Sequence, residues 1–204
     1  MAIRVLLAVV LALYPLIVYL GLHAMSVRGL ALLLVGVLAL RLVRSPLRGD
    51  ARALRAATVP IAAVGIILAL AALFDDGRFF LFVPVMMNLA LFVSFARTLV
   101  RGPSMVETFA RLRHASLPPE APGYCRRVTA VWCGFFLLNI AVIGRLALRG
   151  SVEAWAFYTG IIAYVLMGVL FTTEIAYRAW RFRHYDGAPT DLIFRRLFPP
   201  RPVA

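Results

Sequence analysis

The stretch VTAVWCGFFLLNIAVIGRLAL, residues 128–148, decides the fold class. Its one charged side chain is Arg145, and it is bounded by Arg126 and Arg127 before it and Arg149 after it. An α-helix rises about 1.5 Å per residue, so about 20 mostly apolar residues cross the hydrocarbon core of a bilayer. In lipid every backbone N–H and C=O must find its partner inside the protein, which a helix does within one segment. The run therefore reads as a transmembrane helix.

Outward from it the pattern repeats. Residues 154–177 form the next apolar run, and residues 79–100, which hold Pro84 and Asn88, form the one before. Earlier still come residues 56–74, with Pro60 near the start, and residues 5–22, with Pro15 as a kink rather than a break. Between these two lies a shorter run, residues 30–43, which begins near Val27 if Arg41 snorkels to the interface. The expectation is an all-α, polytopic bundle of six transmembrane helices over residues 5–22, 27–43, 56–74, 79–100, 128–148 and 154–177. The first run follows Arg4 and has the outline of a signal peptide. It is longer than the usual apolar core of one, and no small-residue cleavage motif follows Gly21-Leu22-His23-Ala24-Met25, so it is expected to be retained.

Composition agrees. Hydrophobic residues make up 63% of the 204, with a mean hydropathy of +0.90, against roughly half in a soluble domain. A net charge of +13 invites a nucleic-acid reading. Its distribution points elsewhere, because the 22 basic residues are all arginine and lie mainly between or at the ends of the apolar runs. That is the pattern of topology and of contact with anionic lipid headgroups, and no nucleic acid is expected as a partner.

The arginines also set orientation. With the N-terminus inside, the inner side holds Arg4, five arginines in residues 41–55, six in residues 97–127 and six in residues 178–201. The outer side holds Arg28, Arg78, Arg145 and Arg149. Eighteen of 22 inside is a strong positive-inside bias, and it puts both chain ends in the cytoplasm. Trp132, Trp155, Trp180 and Tyr185 fall near the ends of the expected spans and are expected to be interfacial anchors.

The longest connection, residues 101–127, is then a cytoplasmic loop broken by Pro103, Pro118, Pro119 and Pro122. Within it, residues 104–113 fit an amphipathic helix in the interface plane. Met105, Val106, Phe109 and Leu112 fall at helical spacing, and Glu107, Arg111 and Arg113 lie elsewhere. Residues 178–204 form a basic cytoplasmic tail.

Several short motifs resemble the intracellular septation protein A family of bacterial inner-membrane proteins. They are Tyr14-Pro15-Leu16-Ile17-Val18-Tyr19, the acidic turn in Leu73-Phe74-Asp75-Asp76-Gly77-Arg78-Phe79, Arg101-Gly102-Pro103, Leu117-Pro118, and Trp132-Cys133-Gly134-Phe135-Phe136 followed by Asn139, with Trp155 opening the last run. The similarity covers most of the chain, and it rests on order and spacing more than on any one motif. The interval from Phe136 to Asn139 is shorter here, and the tail beyond Arg178 is longer. The segments Pro103–Glu107 and Trp132–Asn139 are more similar still to a group of uncharacterised membrane proteins that accompany gene sets for aryl-polyene pigments and envelope lipids. The resemblance implies an inner-membrane role in envelope biogenesis or division, and it supplies no reaction.

Candidate chemistry is sparse. Cys125 and Cys133 lack a CxxC or Cys/His pattern, so neither a disulfide framework nor a metal site is expected. Polar groups inside apolar runs are functional candidates by default. These are Asn88, Asn139 and Glu174, read either as a polar pocket or, by preference, as interhelical hydrogen bonds, with Glu174 paired to Arg178. His23 falls outside, while His114 and His184 fall inside, so the histidines do not converge. Arg111, Arg113, His114, Arg126 and Arg127 are candidate contacts for headgroups or a partner protein. Gly29, Gly36, Gly160 and Gly168 are read as helix-packing positions. No catalytic constellation, phosphate loop or cofactor motif is present. The expected role is a non-enzymatic accessory or scaffold among other inner-membrane proteins. The alternative is a small transporter or membrane-bound enzyme for a lipid or polyene intermediate, with Asn88, Asn139 and Glu174 facing one cavity.

Overall fold

A computed structural model describes residues 13–44, 64–113 and 118–182, together with Leu197 and Pro199. The described residues form helices joined by short turns, and no strand occurs among them. In chain order the helices are α1 (Tyr14–Ala24), α2 (Val27–Arg44), α3 (Val64–Phe74), α4 (Arg78–Leu81), α5 (Val83–Val100), α6 (Met105–Arg113), α7 (Ala121–Arg149) and α8 (Val152–Phe157). A five-residue π-helical turn, Tyr158–Ile162, precedes α9 (Ala163–Phe182). The chain divides into two compact units, Met1–Ile161 and Ile162–Ala204.

Helix starts follow local chemistry. Proline occupies one of the first two positions of α1, α5 and α7, where the N–H it lacks would have no partner inside the helix that it starts. Ser26 Oγ accepts the Gly29 N–H at 3.2 Å at the start of α2, and Ser151 Oγ accepts the Ala154 N–H at 3.2 Å at the start of α8. Between α3 and α4, Asp75 takes a left-handed backbone with φ +53°, and Asp76 Oδ1 accepts the Arg78 N–H at 2.9 Å.

Among the described residues, three helical stretches are long and apolar enough to cross a membrane: Arg78–Val100, Ala121–Arg149 and Val152–Arg181. Each has an uninterrupted uncharged segment of 18, 17 and 20 residues respectively, at positions 79–96, 128–144 and 154–173. These correspond to about 27, 26 and 30 Å of helix, close to the roughly 30 Å hydrocarbon thickness. Tyr14–Ala24, Val27–Val37 and Val64–Phe74 are shorter apolar helices. The N-terminal parts of the expected first and third spans lie outside the described residues. Helix α7 starts at Ala121, so Arg126 and Arg127 sit on its first two turns rather than in a loop.

In the first unit α5 packs along α7, α6 packs across α7, and α1 packs against α2 and α8. The buried side of α7 is Ala121, Cys125, Thr129, Trp132, Phe136, Asn139, Ile143 and Ala147, spaced by threes and fours down one face. Phe95 of α5 meets Phe136 edge-on with ring centroids 5.2 Å apart, and Trp132 lies against Phe135 and Phe136 at 5.7 and 5.9 Å.

Two sequence expectations change here. Trp132 and Trp155 are buried rather than interfacial, and Trp155 is 0% exposed. Trp180 of α9 is exposed, its ring tilted against that of Tyr177 with centroids 5.6 Å apart, and Tyr185 lies outside the described residues. Among the described residues, the glycines at close helix approaches are also not those expected. A Cβ on Gly36 or Gly168 would meet nothing within 4 Å, and one on Gly29 would meet only Ser26 and Met25 beside it. Of the expected positions, Gly160 alone faces another element, with Pro15 Cβ 3.7 Å away. The tight approaches are at Gly21, where a Cβ would lie 2.7 Å from Leu30 Cδ1, and at Gly77, where it would lie 2.5 Å from Leu22 Cδ2.

Candidate functional site

Among the described residues of the first unit, buried polar groups gather in two places. The first is the break between α4 and α5. Pro84 has no N–H to offer the carbonyl four residues back, that of Phe80. The Tyr14 hydroxyl of α1 donates to that carbonyl at 2.9 Å, and Trp155 Nε1 of α8 donates to the adjacent Leu81 carbonyl at 3.1 Å. Two donors, 66 and 74 residues away in sequence, thus satisfy the opened backbone. Close by in sequence, Tyr158 donates to Asn139 Oδ1 at 3.2 Å, and Thr159 Oγ1 donates back to the Trp155 carbonyl at 2.7 Å. Asn139, 1% exposed, uses its Nδ2 on the Phe135 carbonyl at 2.9 Å.

The second place is the start of α6. A helix N-terminus presents N–H groups with no intrahelical partner. Here three hydroxyls meet the first three: Thr98 Oγ1 accepts from Met105 at 2.9 Å, Thr129 Oγ1 from Val106 at 3.3 Å, and Ser104 Oγ from Glu107 at 3.4 Å. Thr129 Oγ1 itself donates to the Cys125 carbonyl at 2.8 Å. Glu107 is 7% exposed, and its Oε1 accepts from both Nε and Nη2 of Arg111, at 3.0 and 2.7 Å. Two hydroxyls, Thr98 and Thr129, therefore tie α6 to α5 and α7 at the ends of the uncharged segments, while Ser104 and the Glu107–Arg111 pair close within α6.

Of the residues singled out in the sequence, Asn139 is buried in an interhelical bond. Asn88 is half-buried and closes onto its own helix, with Nδ2 donating to the Pro84 carbonyl at 2.8 Å. No hydrogen bond joins Asn88 to Asn139 among the described residues. Glu174 belongs to the second unit, where its Oε1 lies 3.8 Å from Arg178 Nε. Arg111 pairs with Glu107, and Arg126 and Arg127 are exposed on α7. The Arg113 side chain and His114 lie outside the described residues. Cys125 and Cys133 are buried and not in a disulfide, and no group of three metal-ligating side chains occurs among the described residues.

Sequence reasoning passed over Thr98, Thr129, Tyr14 and Tyr158. A signal for Thr129 was available, since it shares the helical face of Asn139, ten residues on. No family model, no curated protein and no solved structure matches this chain.

Proposed function

We propose that this chain is a multi-pass bacterial inner-membrane protein with six spans and both ends in the cytoplasm, serving as a non-enzymatic accessory or scaffold in envelope biogenesis or division. The observation that carries the scaffold reading is how the polar groups are used. All five buried polar side chains of the described residues, Ser104, Glu107, Thr129, Asn139 and Thr159, are spent on hydrogen bonds within or between helices. Desolvated groups tied up in this way make a rigid bundle. The inward arginine bias supports the orientation, and the resemblance to septation protein A and the polyene-associated proteins supports the setting.

The test is site-specific photocrosslinking in native membranes from the inner-side surface, at Arg111, Pro119 and Arg178, all exposed. A scaffold gives one or a few reproducible adducts with other inner-membrane proteins, and deletion of the gene changes cell shape or envelope composition. Absence of adducts at all three sites, with an unaltered envelope, would remove the scaffold reading.

A further inference from the structure

The amphipathic segment predicted from sequence is present, but its faces are disposed in an unexpected way. At 100° per residue, Ser104, Glu107 and Arg111 share one stripe of α6, and Met105, Phe109 and Leu112 share another, at i, i+4 and i+7. The stripe carrying Ser104 and Glu107 faces the protein, where both are buried. The apolar stripe faces away: Phe109 is 55% exposed and Leu112 79% exposed, while Met105 is half-buried. A loop helix packed on its own domain in water would be turned the other way.

The height of α6 is fixed by its hydrogen bonds. Thr98 lies between Arg97 and Arg101, and Thr129 lies two residues after Arg127, so the first turn of α6 sits at the level where the uncharged segments of α5 and α7 end. Arg97, Arg101, Arg126 and Arg127 are exposed at that same level, as is Val100. Outward apolar side chains beside exposed guanidinium groups match one chemical environment: the boundary between acyl chains and anionic headgroups. An acidic protein partner would satisfy the arginines but leave the apolar stripe without a match.

We propose that α6 is an in-plane membrane anchor that binds anionic phospholipid, with Met105, Phe109 and Leu112 in the acyl chains and Arg101, Arg126 and Arg127 on the headgroup phosphates. Inverted amphipathicity is what lets it do so. The Thr98 and Thr129 hydroxyls hold the start of α6 against α5 and α7, and the Glu107–Arg111 pair neutralises the buried carboxylate within α6, so that the apolar stripe is presented to lipid already oriented. The proposal deepens the membrane reading above and rests on it.

The full-length protein in nanodiscs tests it, with spin labels at Phe109→Cys and Leu112→Cys and an aqueous reference at Pro119→Cys. Cys125 and Cys133 are buried, so the unsubstituted protein supplies the labelling background. The expected result is that oxygen relaxes the labels at 109 and 112 more than a water-soluble nickel chelate does, with the reverse at 119. In discs of mixed phosphatidylglycerol and phosphatidylcholine, the bound annulus should favour phosphatidylglycerol. That preference should fall about threefold or more in the triple variant Arg101→Gln/Arg126→Gln/Arg127→Gln. Labels at 109 and 112 open to the chelate would overturn the proposal and leave the stripe to a protein partner. Lipid-embedded labels with no headgroup preference would overturn the anionic assignment. Neither readout depends on sidedness, so an inverted topology in cells would sink the orientation without touching the anchor.

Discussion

Removing a single oxygen from Tyr14 isolates the bond that mends the α4–α5 break. In Tyr14→Phe the ring stays and the Phe80 carbonyl loses its side-chain donor at 2.9 Å, keeping only a share of the Phe82 N–H, which bonds the Phe79 carbonyl at 3.1 Å. Interhelical hydrogen bonds in membrane proteins average only about 0.6 kcal/mol, because a freed group usually finds another partner. The Phe80 carbonyl is denied the usual one, since residue 84 is proline. The cost should therefore approach that of an unsatisfied buried carbonyl, about 1–2 kcal/mol. The backbone at the break is nearly helical, with Phe82 at φ −86° and ψ −11°. Pro84→Ala would then supply an N–H to the same carbonyl. In that background Tyr14→Phe should cost about 0.6 kcal/mol or less, a coupling near 1 kcal/mol between two residues that do not bond each other. The assay is denaturant unfolding in detergent, followed by a thiol-reactive fluorophore that reports exposure of the buried Cys125 and Cys133. An equal cost of Tyr14→Phe in both backgrounds would refute the reasoning.

Tyr158→Phe removes the donor to Asn139 Oδ1 and should destabilise the bundle by about 0.6–1.7 kcal/mol, measured the same way. Asn139→Leu combined with Tyr158→Phe should cost less than the two single changes added together, because the pair is then replaced by apolar groups. Gly21→Ala places a Cβ against Leu30, which is itself buried, and should cost about 1–3 kcal/mol. Gly36→Ala meets nothing within 4 Å among the described residues, and should be neutral or stabilise by up to about 1 kcal/mol through helix propensity. Equal effects at the two glycines, compared by thermal unfolding, would contradict the packing described.

The three long apolar helices of the described residues, and the charged residues at their ends, were legible in the sequence because helix length and charge act residue by residue. Which face of a span turns inward was not. In a soluble helix polarity marks the outer side, whereas in residues 128–144 both sides are apolar and Trp132 reads alike whether it meets lipid or Phe136. The polar members of the stripe, Thr129 and Asn139, were the usable clue, because lipid is a worse place for them than a neighbouring helix. Pro84 announced a broken helix, but its remedy lies in Tyr14 and Trp155, far off in sequence, where no local pattern reaches. The amphipathic pattern of α6 was visible, while the side that faces the protein was set by hydroxyls on two other helices.

Single-cysteine accessibility to an impermeant thiol reagent in intact cells tests the proposed arrangement, six spans with the arginine-rich side inside. Asp76→Cys and Ser151→Cys should label from outside, while Arg48→Cys, His114→Cys and Thr190→Cys should label only after the membrane is permeabilised. Labelling of position 48, 114 or 190 in intact cells, with 76 and 151 protected, would contradict the account.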